Sequence, residues 1–365
     1  MKLLVQGVLA QLRKSNSENP FVNDTNSVLN TKGFFMLPLK LRISHSDLDG
    51  LGAILVDYYA GIHFNTKFII INYDDIRDEM DNFILPQRFP EIFSMDWESI
   101  TITDISMPIH EFIAHLKNKE VLINWFDHHP PSVEAMKDET VPKNVLMKHS
   151  TDSCGTKLYF DWLFAGRRTT AVFREFVEIV NTYDLWKQDS ALWEMAEDLN
   201  RFLSTQIDYK NKQASNFQKS AKFLDWMAKK FQILKDKNFS FSDFEKDKIL
   251  GVRIREHKYL KDAREEIGDK IYTDSKGYKW AVFSSPAKIS FVANKLLLSL
   301  PLDYVIGINT FKRELGRISV RSKKGFDVNW LLDVAGHECA GGGCLLPDRL
   351  EGVWKQGIEL GYKNL

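Results

Sequence analysis

The chain has 365 residues, 44% of them hydrophobic, with 49 Lys plus Arg against 49 Asp plus Glu and a formal net charge of zero. That length suits two domains around a sizeable core, and the balanced charge argues against a bulk duplex binder while leaving room for a small basic groove. Three cysteines, Cys154, Cys339 and Cys344, are too few and too odd in number for a disulfide framework, which points to a reducing compartment; no apolar run is long enough to span a bilayer.

The N-terminal MKLLVQGVLAQLRKSN has a short apolar run broken by Gln6 and Gln11 and no small-residue cleavage site, so it does not read as a secretion signal. Residues 15–34 are rich in Asn, Ser, Thr and Gly, and residues 1–38 read as an N-terminal extension. From Leu39, short apolar runs alternate with helical stretches. LRIS and KFIIINY predict strands on either side of a helix over residues 50–62, GLGAILVDYYAGI. SITITDI and EVLINWFDHH predict two more strands with the helix PIHEFIAHLKN between them. This repetition indicates a parallel α/β sheet, and polar residues at the ends of such strands sit where open α/β sheets bind ligands. Residues 155–180 read as helical, with NTYDLWKQD as an interruption. Charged helical periodicity dominates the following segment, read as a helical connector over 191–250. A second α/β pattern includes KWAVFSS, the helix ISFVANKLLLSL, the strands DYVIGIN and GRISVRS, and the Gly-rich AGHECAGGG. The expected domains are therefore 39–190 and 251–365, joined by 191–250.

Within ISHSDLDGLGA, residues 43–53, His45, Asp47 and Asp49 fall on alternate positions. On a strand they face the same side until the chain turns at Gly50. Like charges on one face repel unless a cation sits between them, and a divalent metal bound by carboxylate oxygen and imidazole nitrogen is the simplest such cation. The plain alternative is a polar strand end with solvated carboxylates. Asp104 at the end of ITITD, the Asp127-His128-His129 run in FDHHP and Asp184 in NTYDLW favour the metal reading, because each places a carboxylate or imidazole after an apolar segment.

SHSDLDGLGA, TDIS, DHHP and YDLW, in that order, resemble the four motifs of the DHH phosphoesterase superfamily, and ISVRS with AGHECAGGG resembles the phosphate-binding end of its DHH-associated C-terminal domain. The resemblance covers roughly residues 39–350. The spacing of the first motif is closer to the RecJ and nanoRNase-type branch than to inorganic pyrophosphatases, and the layout is most similar to NrnB-type oligoribonucleases. The resemblance implies an α/β fold: a parallel-sheet DHH domain with helices on both faces, a helical connector, and a smaller α/β substrate-binding domain.

It further implies two Mn²⁺ ions, with Mg²⁺ or Co²⁺ as substitutes. His45, Asp47 and Asp104 would hold the first, and Asp49, Asp104, His128 and Asp184 the second, with Asp104 bridging. His129 would face the substrate phosphate or leaving group, and Asp127 would orient a ligand histidine. In the C-terminal domain, Arg321 and Ser322, His337, and backbone amides near Gly336, Gly341 and Gly342 would grip phosphate, the amides as an anion nest. Ser153, in TDSCGTKLYF, would lie at a helix N-terminus near the substrate. The plainer readings are a flexible turn for AGGGC, an ordinary N-capped helix with Thr151, Asp152 or Ser153 as cap, and a packed small residue for Cys154. The chain departs from the family pattern in having only Gly336 before His337.

The implied activity is a Mn²⁺-dependent phosphodiesterase that releases mononucleotides from short single-stranded oligonucleotides through a metal-bridging hydroxide. The implied setting is the cytoplasm, away from membranes, with a homodimer left open. Alternatives are a cyclic-dinucleotide phosphodiesterase or 3′,5′-bisphosphate nucleotide phosphatase, a RecJ-like single-strand exonuclease, and a scaffold without catalysis.

Overall fold

The computed structural model describes residues 39–77, 82–129, 141–209, 211, 213–235, 237–274, 276–309, 316–323, 335–337 and 340–345; the expected N-terminal extension, residues 1–38, lies outside them. The chain divides into two compact units, the first ending at Ser242 and the second starting at Asp243.

In the first unit the β-branched runs form a five-stranded parallel sheet: β1 (Lys40–His45), β2 (Thr66–Ile71), β3 (Ser99–Thr103), β4 (Leu122–Asp127) and β5 (Val145–His149). Its order is β2-β1-β3-β4-β5. The chain leaves β1 toward β2 and then returns to the other side of β1 for β3. Ligands bind beyond the carboxyl ends of strands at such a reversal. β5 is an edge strand that the sequence pattern did not show, because its residues alternate between half-buried and exposed.

The sheet is covered on both faces. Leu41, Ile43, Ile100, Ile102, Ile123 and Trp125 share one apolar cluster with Ile109 and Phe112 of helix α2 (Ile109–His115), and each such buried side chain contributes about 1.5–3 kcal/mol. On the other face Arg42 of β1 makes a bidentate pair with Asp57 of helix α1 (Leu48–Ala60), at 2.6 Å for each bond. Tyr159 of helix α3 (Gly155–Leu163) donates to the same carboxylate at 2.5 Å, and its ring lies 4.0 Å from the guanidinium carbon. One buried charge pair thus ties β1, α1 and α3 together.

The stretch 155–180 is two helices, α3 and α4 (Ala171–Asp184). NTYD does not interrupt α4 but closes it. Val172, Phe173, Phe176, Val177, Ile179 and Val180 keep its helical face buried, and Asn181 and Thr182 are buried as well. Asp184 is therefore the last residue of a helix rather than a strand end or loop residue. The expected connector is divided. Helices α5 (Trp193–Gln206) and α6 (Asn216–Leu234) belong to the first unit. Phe231 of α6 packs on Phe173 and Phe176 at ring separations of 5.0 and 5.1 Å, and Asn216 donates to the Ile70 carbonyl at 3.1 Å. The next helix, α7 (Asp243–Ile267), belongs to the second unit.

The second unit also holds β6 (Tyr272–Thr273), β7 (Lys279–Ser285), α8 (Ile289–Ser299), β8 (Tyr304–Asn309), β9 (Gly316–Ser322), β10 (Ala335–His337) and β11 (Ala340–Leu345). Its six-stranded sheet has the order β10-β11-β9-β8-β7-β6; β7 and β8 are parallel and the other neighbours antiparallel. α7 and α8 bury Ala263, Ile267, Val292 and Leu296 against Ala281, Phe283 and Val305. The chain as a whole is mixed α/β, as the sequence pattern predicts. Among the described residues no helix is long and apolar enough to cross a membrane.

Of the Gly-rich segment, Gly336, Gly341 and Gly342 lie in the β10–β11 antiparallel ladder, Gly336 opposite Gly341 and Gly342 opposite both Ala335 and Ser319 of β9. Residues 338–339, which join the two strands, lie outside the described residues.

Candidate metal centre

The site is built where the chain order reverses. His45 is the last residue of β1, Asp104 follows β3, and Asp127 ends β4 with His128 and His129 just beyond. Asp47 leaves the strand and caps α1, its Oδ1 accepting from the Gly50 amide at 3.0 Å. Gly50 is required by the tightness of that turn: a Cβ there would stand 2.2 Å from the His45 carbonyl oxygen. The alternation seen in the sequence therefore holds only to His45. Asp47 and Asp49 are directed by the helix start, not by the strand.

Asp104 is fully buried and has a left-handed backbone, φ 56°. Asp tolerates that region better than most residues, yet the conformation costs about 1–3 kcal/mol. Its amide is anchored to the Phe126 carbonyl at 2.9 Å.

Around Asp104 the ligand-type atoms converge. His45 Nδ1 lies 2.9 Å from Asp47 Oδ2 and 3.7 Å from Asp104 Oδ2. His128 Nε2 lies 3.4 Å from Asp104 Oδ1 and 3.0 Å from Asp184 Oδ2. Nevertheless both Asp104 oxygens, His45 Nδ1 and Asp184 Oδ2 are buried atoms that make no hydrogen bond. Buried polar atoms without hydrogen bonds are costly, and carboxylate oxygens and imidazole nitrogens held 3.0 to 3.7 Å from one another in this way are what a cation would satisfy.

The electrostatics agree. Burial, then Asp47 and Asp49, pushes the Asp104 carboxyl well above its ordinary value. Burial also raises Asp184 to about 8, with His128 opposing and Asp49 and Asp47 adding. Burial works against charge on His45 and His128, but Asp47 and Asp184 respectively overcome it and raise both imidazoles. Asp47 is lowered: burial opposes this and His45 outweighs it.

Atoms of His45, Asp47 and Asp104 lie within 4.8 Å of one another, as do atoms of Asp104, Asp127, His128 and His129, and atoms of Asp49, Cys154 and Asp184. The set expected for a first ion is thus brought together. The set expected for a second ion, Asp49, Asp104, His128 and Asp184, is spread over the latter two groups, with His128 reaching both Asp104 and Asp184. Carboxylate and imidazole donors of this kind fit hard and borderline divalent ions.

Asp49 has a further task. Its two carboxylate oxygens accept from the Gly155 and Thr156 amides at 2.7 and 2.8 Å, so it occupies the N-terminus of α3. The N-cap residue is Cys154, without a side-chain cap bond, rather than Thr151, Asp152 or Ser153. Those first amides, beside which Ser153 was expected to meet substrate, are taken by a carboxylate of the chain. Asp127 pairs with His129, Oδ1 to Nδ1 at 2.7 Å, and accepts from Ser106 Oγ at 3.1 Å. This places the Asp127 contact on His129, the histidine expected to face substrate.

Arg321 and Ser322 end β9 in the second unit. Arg321 is opposite Ala340, which is itself opposite His337, so the three residues form one row across the sheet. Arg321 Nη1 donates to the Val320 carbonyl at 2.9 Å.

Two site residues escaped the sequence reading. Tyr73, 42% exposed, lies with its ring 5.5 Å from that of His45 and 5.8 Å from that of His129. It follows β2, whose last residue Ile71 is the register partner of His45, so the strand-end logic reaches it too. His149 ends β5 opposite Asp127, with Nε2 3.1 Å from the His129 carbonyl oxygen. It was missed because β5 has no strong pattern.

No protein-family model and no curated protein matches the chain. Solved structures do. A pGpG-specific phosphodiesterase, PggH, from Vibrio cholerae aligns with TM-score 0.51 and 15% identity over 88% of this chain and 98% of that one. RecJ from Thermus thermophilus, in complex with Mn²⁺, aligns with TM-score 0.50 and 15% identity over 87% of this chain but 51% of that one. At such identity the likeness is one of fold, and the chain spans about half of that RecJ.

Proposed function

We propose that the chain is a DHH-type, divalent-metal-dependent phosphodiesterase that cleaves short oligonucleotides to mononucleotides. The observation that carries this reading is the set of buried, hydrogen-bond-free oxygens and nitrogen of Asp104, Asp184 and His45 at the strand reversal. In this reading two Mn²⁺ ions are held, one by His45, Asp47 and Asp104, the other by Asp49, Asp104, His128 and Asp184. Such ions, when bound, lower the pKa of water and neutralise charge on phosphoryl oxygens.

The chain's own residues position and move protons. Asp127, itself held by Ser106, fixes the Nδ1 side of His129, which leaves Nε2 to hold a proton for the leaving oxygen. Tyr73 offers a half-exposed aromatic ring beside both histidines, a surface on which a base can stack. Arg321, with Ser322 and His337, is the phosphate grip of the second unit in this proposal, with the strands that carry Gly336, Gly341 and Gly342 placing Arg321 and His337 in one row.

The fold shared with a phosphodiesterase named for pGpG, over nearly all of both chains, supports a dinucleotide-sized substrate. The RecJ likeness covers half of a longer chain and favours a long single strand less. The test is a time course with end-labelled RNA and DNA, from dinucleotides to long single strands, in Mn²⁺, Mg²⁺ or EDTA. Metal-dependent loss of the shortest oligomers with mononucleotide product is expected. Intact dinucleotides beside degraded long strands would replace this reading with a RecJ-like one, and wholly inert protein would remove the enzyme reading.

A further inference from the structure

Cys154 stands inside the centre. An Sγ position within 4.8 Å of carboxylate oxygens of both Asp49 and Asp184 makes it part of the ligand cluster. The thiol is buried and forms no disulfide. It is placed by its backbone. The Cys154 amide donates to Asn181 Oδ1 of α4 at 3.0 Å, and its carbonyl accepts from Leu158 at 3.0 Å. Asp184 Oδ2 is a buried atom without a hydrogen bond. So are both oxygens of the fully buried Asp104, which backs onto Gly155, the next residue after Cys154. Beside it stand Asp49, whose oxygens accept from the Gly155 and Thr156 amides, and Asp184, whose Oδ2 makes no hydrogen bond, so the thiol adds a soft donor to a hard set.

We infer that Asp49, Cys154 and Asp184 form a coordination corner that takes thiophilic divalent ions, Zn²⁺ and Cd²⁺, with Cys154 Sγ as a ligand. Coordination forms a metal–sulfur bond and breaks the S–H bond, the proton passing to water. An ion held there engages Asp49 and Asp184, two of the groups assigned above to the second Mn²⁺. Zinc then competes with manganese and inhibits the reaction that manganese supports. The inference rests on the metal-centre reading, and its test separates the two.

The experiment is a Cd²⁺ titration of the full chain carrying Cys339→Ser and Cys344→Ser, followed by ultraviolet absorption and calorimetry. Calorimetry on the same protein with Mn²⁺ runs in parallel. A thiolate-to-Cd²⁺ charge-transfer band is expected, together with its loss in the added Cys154→Ser variant. The Zn²⁺-to-Mn²⁺ affinity ratio of that variant should fall by about tenfold or more. Cadmium NMR of the chain that retains Cys154 reads sulfur coordination directly, so the result stands even if Cys154→Ser fails to fold. Heat of Cd²⁺ binding without a band or a sulfur-shifted resonance overturns the inference and leaves the metal centre intact. A folded chain that binds neither Cd²⁺ nor Mn²⁺ overturns both.

Discussion

Gly155 is pressed against Asp104: a Cβ built on Gly155 would stand 2.8 Å from the Asp104 amide nitrogen and 2.9 Å from its Cβ. Both contacts are with parts of Asp104 that cannot swing away, since its amide is bonded to Phe126. Gly155→Ala should therefore shift Asp104 and cost about 1–3 kcal/mol in stability. Mn²⁺ affinity, measured by calorimetry, should fall more than thermal stability explains. Unchanged Mn²⁺ affinity would mean that the position of Asp104 does not govern the ion.

Asp104→Asn removes a carboxylate that burial, Asp47 and Asp49 all hold away from its charged form. The metal-free variant should be at least as stable as the parent at neutral pH, because a neutral amide needs no proton taken up on folding. It should lose Mn²⁺ stabilisation in thermal melts and lose hydrolysis of dinucleotides. A variant that is still stabilised by Mn²⁺ would take Asp104 out of the ligand set.

The pH dependence of the metal-free chain has a definite sign. Asp104 and Asp184 are raised, and so are His45 and His128. Each holds a proton in the folded chain at pH values where the unfolded chain has released it. Stability is thus greatest below the unfolded values and falls as pH rises through the folded ones. For Asp184 that window runs from about 4 to about 8. Asp47, which is lowered, acts in the opposite sense, but only below its ordinary value. Calorimetric melting in EDTA should show a Tm that drops from about pH 5 to about pH 8. Saturating Mn²⁺ should raise Tm increasingly with pH, because ion binding displaces those protons. A Tm in EDTA that rises across the window would contradict the assignment.

Removing either partner of the buried Arg42–Asp57 pair leaves an uncompensated charge, at a cost of about 3–5 kcal/mol. Urea denaturation should show that loss for Arg42→Met and for Asp57→Leu. The double variant should recover part of it, since two apolar side chains leave no buried charge. Additive losses would show that the two groups do not depend on each other.

Asp127→Asn keeps the shape of the carboxylate but weakens its hold on His129. kcat on dinucleotides should fall by about 10- to 100-fold with a smaller change in KM. An unchanged kcat would leave Asp127 a packing role.

Much of this architecture can be read without coordinates. Apolar β-branched runs such as FIII and ITIT cannot hide their side chains singly, so they pair into a buried parallel sheet. His45, Asp104 and His128 follow such runs, which marks strand ends and hence a binding crevice. Asp184 was legible as a site residue but not as a helix end, because NTYD is polar and only its tertiary contacts keep it helical; Asn181 is spent on the Cys154 amide. β5 and Tyr73 were illegible, the one for want of a pattern and the other because a tyrosine after a strand carries no signature of its own.

The amino-acid sequence by itself determined the α/β class, the chain order of the elements and the residue types available to a cation, because these follow from periodicity and donor chemistry. Tertiary structure alone decided the partners. Asp49 caps a helix that starts more than a hundred residues later, Asp127 holds His129, Cys154 joins two carboxylates, and the Gly-rich segment becomes paired strands. Pairings of this kind depend on which backbones approach closely enough to meet, as Gly50 and Gly155 allow here, and that distance is set by the packed fold.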